Sequence, residues 1–207
     1  DSRTLKSKKA STMYLPLPLV LGSSSPFRKE LLSRLQLPFE TCSPDIDERS
    51  LAGESPEQLV ERLSVGKAAA VAEQYPSHLV IGSDQVAVNA GAVLGKPGSF
   101  ERAVEQLQAA SGKVVQFYTG LTLLNSASGE QYSEVVPFQV HFRELSSDRI
   151  ERYLRAETPY NCAGSFKSEG LGVALFERLE GSDPSALMGL PLIRLVRMLE
   201  QQGAQIP

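Results

Sequence analysis

The sequence predicts an α/β protein built on a mixed, twisted β-sheet with flanking helices. Strand-like apolar segments alternate with helical segments through the first half of the chain, as in proteins whose helices cover a largely parallel sheet. In the second half, two long strand-like segments follow one another across a short polar loop, which is typical of an antiparallel hairpin. A purely parallel sheet is therefore not expected.

The composition indicates one ordinary globular domain or two closely joined lobes. The chain has 207 residues, 42% of them hydrophobic, enough for a core of useful size. Its formal net charge of -3 gives no electrostatic argument for binding nucleic acid. No apolar run approaches the ~20 residues of a membrane span. We expect neither nucleic acid nor a membrane as partner, while a local basic pocket for a small anion stays open.

The first twelve residues differ in character from the rest. They are polar and lack the apolar centre of a secretory signal, and Met13 stands directly before the first strand-like segment. We predict that residues 1–12 are added or upstream sequence and that residues 13–207 form a single domain.

Few nitrogen or sulfur ligands are available for a metal. Cys42 and Cys162 form no zinc-type spacing or disulfide framework, and we expect His78 and His141 to be structural. A metal would be held mainly by oxygen, which points to magnesium or manganese. The low cysteine content favours a reducing compartment.

Apolar periodicity and helix-start signals place the elements in order. Residue Pro56, after Ser55, suits a first helical turn, and Ser146 is a typical helix cap. The predicted strands are 17–21, 39–42, 78–88, 113–124, 131–142 and 173–179, with a short one before Gly95. The predicted helices are 27–35, 55–73, 99–109, 146–156 and 190–202.

A hydroxyl-rich turn joins the first strand to the first helix. Ser23, Ser24 and Ser25 provide hydroxyl donors there, and the helix start provides backbone N–H groups and the positive end of the dipole. Arg28 adds a forked cation that matches phosphate. The turn therefore predicts a phosphate site, with an ordinary serine-capped helix start as the alternative.

Asp84 interrupts the most apolar strand of the chain. A carboxylate there is costly to bury unless it is paired. It is either a structural acid or, with Lys96 on the next short element, part of a site in which the acid holds a metal or activates water and the lysine neutralises phosphate oxygens.

Three further segments carry weaker signals. Glu48, in the acidic loop 43–48, is either solvated or joins Asp84 around a divalent cation. Lys67, in the helix 55–73, is either solvated or approached closely by a substrate, because small residues follow it. The loop 161–172 is either a flexible connection or part of the site, in which case Glu169 can accept from a purine N–H edge and Phe166 or Phe27 can stack on a base.

Seven motifs occur in one order along the chain: Ser23-Ser-Ser-Pro-Phe-Arg28, Pro44-Asp-Ile-Asp-Glu48, Lys67, Gly82-Ser-Asp-Gln85, Gly95-Lys-Pro97, Phe117-Tyr-Thr-Gly120 and Ser165-Phe-Lys-Ser-Glu-Gly170. This set resembles the Maf family of nucleotide pyrophosphatases. The resemblance covers nearly everything between residues 19 and 202. It implies a two-lobed fold like that of inosine-triphosphate pyrophosphatases with a central cleft, a divalent cation, a cytoplasmic location and a homodimer.

The chain most resembles the branch of that family that hydrolyses 7-methyl-GTP to 7-methyl-GMP and diphosphate. That resemblance rests on the substrate-specificity positions Phe27, Gln85 and Glu169, where the dTTP/UTP branch has Arg, Thr and Gln. Phe27 departs from the tryptophan familiar there but stays aromatic. A dTTP, UTP or other modified-nucleotide pyrophosphatase and a non-catalytic nucleotide-binding regulator of cell division remain alternatives.

The resemblance and the residue chemistry together assign expected roles. Asp84, Lys96 and Lys67 are the expected catalytic residues. Asp84 acts as general base or positions water, and with Glu48 it holds the metal. The serine turn and Arg28 are expected to bind the phosphates.

Overall fold

The computed structural model describes residues 12–207, so residues 1–11 of the predicted tail lie outside the described residues. The strands are β1 Leu19–Gly22, β2 Phe39–Thr41, β3 Leu79–Asn89, β4 Ala92–Leu94, β5 Val114–Asn125, β6 Gln131–Phe142 and β7 Phe176–Glu180. The helices are α1 Pro26–Ser33, α2 Pro56–Ala72, α3 Phe100–Ala110, α4 Ser147–Glu157, α5 Pro184–Leu187 and α6 Leu192–Gln201.

The seven strands form one mixed sheet in the order β2-β1-β3-β5-β6-β7, with β4 paired to β3. β1 is parallel to both β2 and β3, whereas β3, β5, β6 and β7 pair antiparallel. The predicted mixed α/β sheet with flanking helices is confirmed. Among the described residues, no helix is both long and apolar enough to cross a membrane.

Two main cores give the molecule its two lobes. One packs leucines of β1 and α1 against α6, with Leu21, Leu32 and Leu195 fully buried. The other packs α3 and α4 against the far ends of β5 and β6, around Phe138 and Leu154. The long central strands run through both lobes, so their residues lie between the two cores.

A gap in the sheet lies along one edge of β3. β1 ends at Gly22, which pairs with Gly82, and β4 joins the same edge only at Ala87. Over residues 83–86, no described strand pairs with β3 on the side opposite β5. Since successive side chains of a strand point to opposite faces, this gap lets side chains from both faces of β3 reach one opening.

Helix-start chemistry fixes the elements that flank this opening. Ser25 caps α1 by accepting from the backbone N–H of Arg28, with Pro26 at the first position. Ser55 and Gln58 form a reciprocal capping box at the start of α2. Both starts agree with the prediction to within a residue.

Three sequence-based boundaries were wrong. The first strand begins at Leu19 and not at residue 17, because Pro16 and Pro18 lack the N–H that a ladder needs. The predicted strand 173–179 is a 3-10 turn over Leu171–Leu175 followed by β7. In place of one helix over 190–202, a short α5 comes first and α6 begins at Leu192, after a turn through Gly189 with φ of 110°.

Candidate active site

The gap beside β3 opens into a cleft of about 660 Å³ between the two lobes. Its walls come from the β1–α1 turn, from α2 and β3, from the segment after β4 and from the loop before β7. All the predicted site residues line it: Ser23, Ser24, Ser25, Phe27, Arg28, Glu48, Lys67, Asp84, Gln85, Lys96 and Glu169. Residues far apart in the sequence thus share one cavity.

Lys67 lies at the centre of the charged wall. Its Nζ is 2.7 Å from Oε1 of Glu48 and 2.9 Å from Oδ1 of Asp84. Lys67 is only 8% exposed, so the solvated alternative is wrong. Charge-assisted hydrogen bonds of this length hold both carboxylates towards one point of the cleft.

Close packing of α2 on the sheet brings Lys67 to Asp84. Gly82 and Gly120 face α2, and a Cβ on either would collide with the helix backbone, at Ser64 O and Val60 O respectively. A glycine at both positions allows the helix to approach the sheet closely. The Asp84–Lys67 pair therefore depends on two residues that carry no chemistry.

Two carboxylates at one point meet the needs of a magnesium or manganese ion. Magnesium is commonly bound by one or two carboxylates together with substrate phosphates, and Glu48 and Asp84 provide the two carboxylates. No group of three or more His, Cys, Asp or Glu suited to a metal occurs among residues 12–207. The site thus fits a metal whose remaining ligands come from a nucleotide and water.

Arg28 is held by a backbone carbonyl and not by an acid. Its Nε donates to the carbonyl of Gly189 at 2.7 Å, and no acid lies within ion-pair distance among the described residues. Burial lowers the pKa of the Arg28 guanidinium, and the nearby charges of Asp84 and Glu48 act in the opposite direction. A half-buried guanidinium without a bound carboxylate is well suited to pair with phosphate.

The serine turn is ordered mainly by its own hydrogen bonds. The Ser23 hydroxyl accepts from the Ser25 N–H at 3.1 Å, and Ser25 caps α1. Ser24 is exposed on the cleft wall. The cap alternative therefore describes Ser25 correctly, while the N-terminus of α1 still faces the cleft that Arg28 lines.

The far lobe contributes an exposed cation and an exposed acid. Lys96 and Glu169 both line the cleft and are both exposed. Gln106 of α3 connects their segments: its amide donates to Gly95 O at 3.0 Å, and its oxygen accepts from the Ser165 hydroxyl. One side chain thus ties together the two loops of this lobe.

The two candidate aromatic residues have different surroundings. Phe166 is 6% exposed and makes edge-to-face contacts with the rings of Phe117, Phe142 and Phe176. Phe27, at the start of α1, is half-buried and also lines the cleft. Since the core already surrounds Phe166, Phe27 is the more accessible of the two for stacking on a base.

Sequence reasoning missed the turn over residues 183–189, which closes one side of the cleft. Buried Asp183 caps α5 by accepting from the N–H and hydroxyl of Ser185, and it also accepts from the N–H of Ile193 in the first turn of α6. The turn accepts side-chain hydrogen bonds from Arg28, Ser83 and other residues of the site. Asp-Pro-Ser is a cap signal that could have revealed this short helix.

Comparisons with known proteins agree with this architecture. A family model described as Maf-like protein matches residues 18–202. The 7-methyl-GTP pyrophosphatase of Pseudomonas aeruginosa is 63% identical over 189 residues, covering 91% of this chain and 98% of that protein. The protein of the same name from Nitrosococcus oceani is 59% identical over 195 residues, covering 92% and 98%.

Among solved structures, the Staphylococcus aureus Ham1 protein overlaps with a TM-score of 0.40 and 17% identity, covering 63% of this chain and 72% of that one. An overlap of that size is too small to establish a shared fold. The family match over residues 18–202 establishes the family of this chain, and so do the identities to the two bacterial relatives. On both grounds, this chain belongs to the Maf family.

Proposed function

We propose that the protein hydrolyses 7-methyl-GTP between its α- and β-phosphates and releases 7-methyl-GMP and diphosphate. The observation that carries the proposal is the Lys67 ammonium, which holds Glu48 and Asp84 in the same cleft as Arg28, whose Nε is held by the carbonyl of Gly189. Acids that can bind a metal or activate water, beside cations that can bind phosphate, are the groups that this hydrolysis needs. The relatives' shared name supports the choice of nucleotide.

In this mechanism Arg28 and the N-terminus of α1 bind the phosphate tail, together with the serine turn. Lys67 and Lys96 offset the negative charge that grows as the bond breaks. Asp84 accepts a proton from the attacking water or positions that water, as a general base does. A magnesium or manganese ion on Glu48 and Asp84 would supply Lewis-acid polarisation of the phosphate oxygens.

The base would lie between the walls that carry Phe27 and Glu169. Methylation at N7 gives the guanine ring a positive charge, which is attracted to an aromatic face by about 0.5–2 kcal/mol. Phe27 is the candidate for that contact. Glu169 would accept from the guanine N–H edge and would also be attracted to the charged ring.

A hydrolysis screen tests the proposal. The protein is incubated with normal and modified nucleoside triphosphates, with and without magnesium or manganese, and products are identified by mass. We expect 7-methyl-GTP to give the highest kcat/KM, with diphosphate released only when a divalent cation is present. A higher kcat/KM for dTTP or UTP would show that the proposed substrate is wrong. Nucleotide binding without hydrolysis would support the alternative of a non-catalytic regulator.

The proposal also includes a homodimer and a cytoplasmic location. Both rest on the family resemblance. Sedimentation of the purified protein tests the first, and fractionation of the source cells tests the second.

A further inference from the structure

Gln85 lines the cleft through a side chain whose amide end is already engaged by the protein. From this arrangement we infer that Thr119 is a positioning residue, which fixes the amide of Gln85 so that its oxygen faces the cleft and accepts a hydrogen bond from the nucleotide. The inference deepens the proposed function and rests on it, because it concerns which nucleotides that site selects.

Thr119 and Gln85 lie directly opposite each other on the paired strands β5 and β3. The amide nitrogen of Gln85 is 3.1 Å from the Thr119 hydroxyl. The same nitrogen lies 2.8 Å from the carbonyl of Ala186 and 3.1 Å from that of Leu187. One strand neighbour and two carbonyls of the 183–189 turn therefore surround the end of this side chain. The NH2 group has two protons for these three acceptors, so one of its protons is shared between two of them.

The partners determine which end of the amide is which. A carbonyl oxygen can only accept, so the atom that faces Ala186 and Leu187 must be the NH2 group. The Thr119 hydroxyl also donates to Ala186 O at 3.1 Å. Having given its one proton there, it can only accept from Gln85. These requirements exclude the flipped orientation of the amide. For many glutamine side chains the oxygen and the nitrogen cannot be told apart in this way.

Thr119 is completely buried, so water cannot replace its hydroxyl easily. The Gln85 oxygen, by contrast, has no hydrogen-bond partner within residues 12–207, and among these residues only His141 Nε2 is a fully buried side-chain polar atom without one. The oxygen is therefore accessible, and Gln85 borders the cleft. It presents an acceptor to whatever binds there.

The discrimination we infer requires that the Gln85 oxygen meets the N1 and 2-amino edge of the base, because adenine also offers N–H, at its 6-amino group. Guanine carries N–H at N1 and at its 2-amino group, whereas the corresponding ring nitrogen of adenine offers a lone pair. A lone pair facing the Gln85 oxygen would be repelled. Groups built to receive a donor discriminate strongly against a base that lacks it, because the acceptor is left unpaired.

The test compares Thr119→Val, which keeps the shape but removes the hydroxyl, with Thr119→Ser, which keeps the hydroxyl. Thr122→Val is the matched control: Thr122 is also buried on β5, but its hydroxyl meets Ser64 and Ser133 and not Gln85. We expect Thr119→Val to lower kcat/KM for 7-methyl-GTP about tenfold, mainly through KM. Thr119→Ser and Thr122→Val should stay within about twofold of wild type.

A double-mutant cycle separates positioning from packing. If Thr119 acts through Gln85, then adding Thr119→Val to Gln85→Leu lowers kcat/KM no further. Additive losses, or equal losses in Thr119→Val and Thr122→Val, would overturn the inference. Thermal melting shows whether each variant folds.

One measurement does not need the Thr119 variants. Gln85→Leu should reduce the preference for GTP over ATP about tenfold, and an unchanged ratio would overturn the inference. The wild-type screen tests the proposed function separately. If the wild type prefers another nucleotide, the proposed substrate is wrong, and the cycle is then measured on the nucleotide it hydrolyses.

Discussion

At the scale of single residues, Asp84 combines a strand position with an ion pair. The sequence identified it because a carboxylate interrupts an apolar strand, and its side chain is now 15% exposed at the cleft, beside Lys67. Burial alone would have been compatible with a structural acid. The accessible edge of the carboxylate is what a general base requires, since it must reach a proton on water or substrate.

Asp84→Asn should leave the protein folded and lower kcat by about a hundredfold or more, because the amide cannot accept the proton of the attacking water. Diphosphate release measures kcat, and circular dichroism checks the fold. Asp47→Asn is a suitable control. Asp47 lies beside Glu48 in the acidic loop and pairs with Arg49, but it does not line the cleft. Full activity in Asp84→Asn would remove Asp84 from the catalytic role.

Glu169→Gln should weaken the preference for 7-methyl-GTP over GTP while sparing phosphate hydrolysis. Glu169 is exposed on the cleft wall, so its loss should not disturb a core. Removing its charge removes an attraction to the positive methylated ring but keeps an acceptor of similar shape. The ratio of kcat/KM for the two nucleotides measures this effect, and an identical ratio in both proteins would exclude Glu169 from base selection.

At the scale of elements, the contact between α2 and β3 decides whether the site forms. Gly82 allows that contact, because an added Cβ would collide with Ser64 O and lie 2.8 Å from Ala68 N. Both obstacles are helix backbone, which cannot rotate away as a flexible side chain can. The ion pair between Lys67 and Asp84 is thus a consequence of helix–sheet spacing.

Gly82→Ala should lower the free energy of unfolding by about 1–3 kcal/mol, as overpacking typically does, and should also lower kcat by moving Lys67 away from Asp84. Urea denaturation and diphosphate release measure the two effects. Gly95→Ala serves as the stability control, because an added Cβ there meets nothing within 4 Å and the residue has no positive φ. Equal stability of the two variants would contradict the packing argument.

At the scale of the whole molecule, the cleft lies where the sheet is interrupted between two cores. A bound triphosphate would contact side chains of both lobes at the same time. A ligand that binds only the folded protein raises its stability, by about 2.7 kcal/mol at a hundred times its Kd. Binding should therefore be visible in thermal melting as well as in turnover.

A non-hydrolysable α,β-methylene analogue of the nucleotide should raise the Tm, and the rise should be larger with magnesium than with a chelator. In Glu48→Gln the magnesium-dependent part of the rise should shrink, because one carboxylate ligand is lost. Thermal shift assays in both buffers measure this. A rise independent of magnesium in the wild type would contradict a metal bound by Glu48 and Asp84.

The sequence alone determined the order of elements, the mixed sheet and the chemistry of the candidate site. Local patterns encode these properties: apolar periodicity, serine caps and a carboxylate in an apolar strand. The C-terminal turn was missed because α5 is only four residues long, too short for a periodic signal. Gln85 was expected to contact the base, but its fixed orientation could not be predicted.

The tertiary structure alone decided which groups meet. Residue chemistry left Lys67 either solvated or in the site, and only the family resemblance assigned it a role, because whether a helical lysine is solvated depends on what covers it. Its contacts with Glu48 and Asp84 are visible only in the fold. The gap along β3, the approach of α2 through Gly82 and the carbonyls of the 183–189 turn depend on strand register and packing between segments far apart in the chain. Contacts of that kind join residues that are far apart in the chain, so a short stretch of sequence does not determine them.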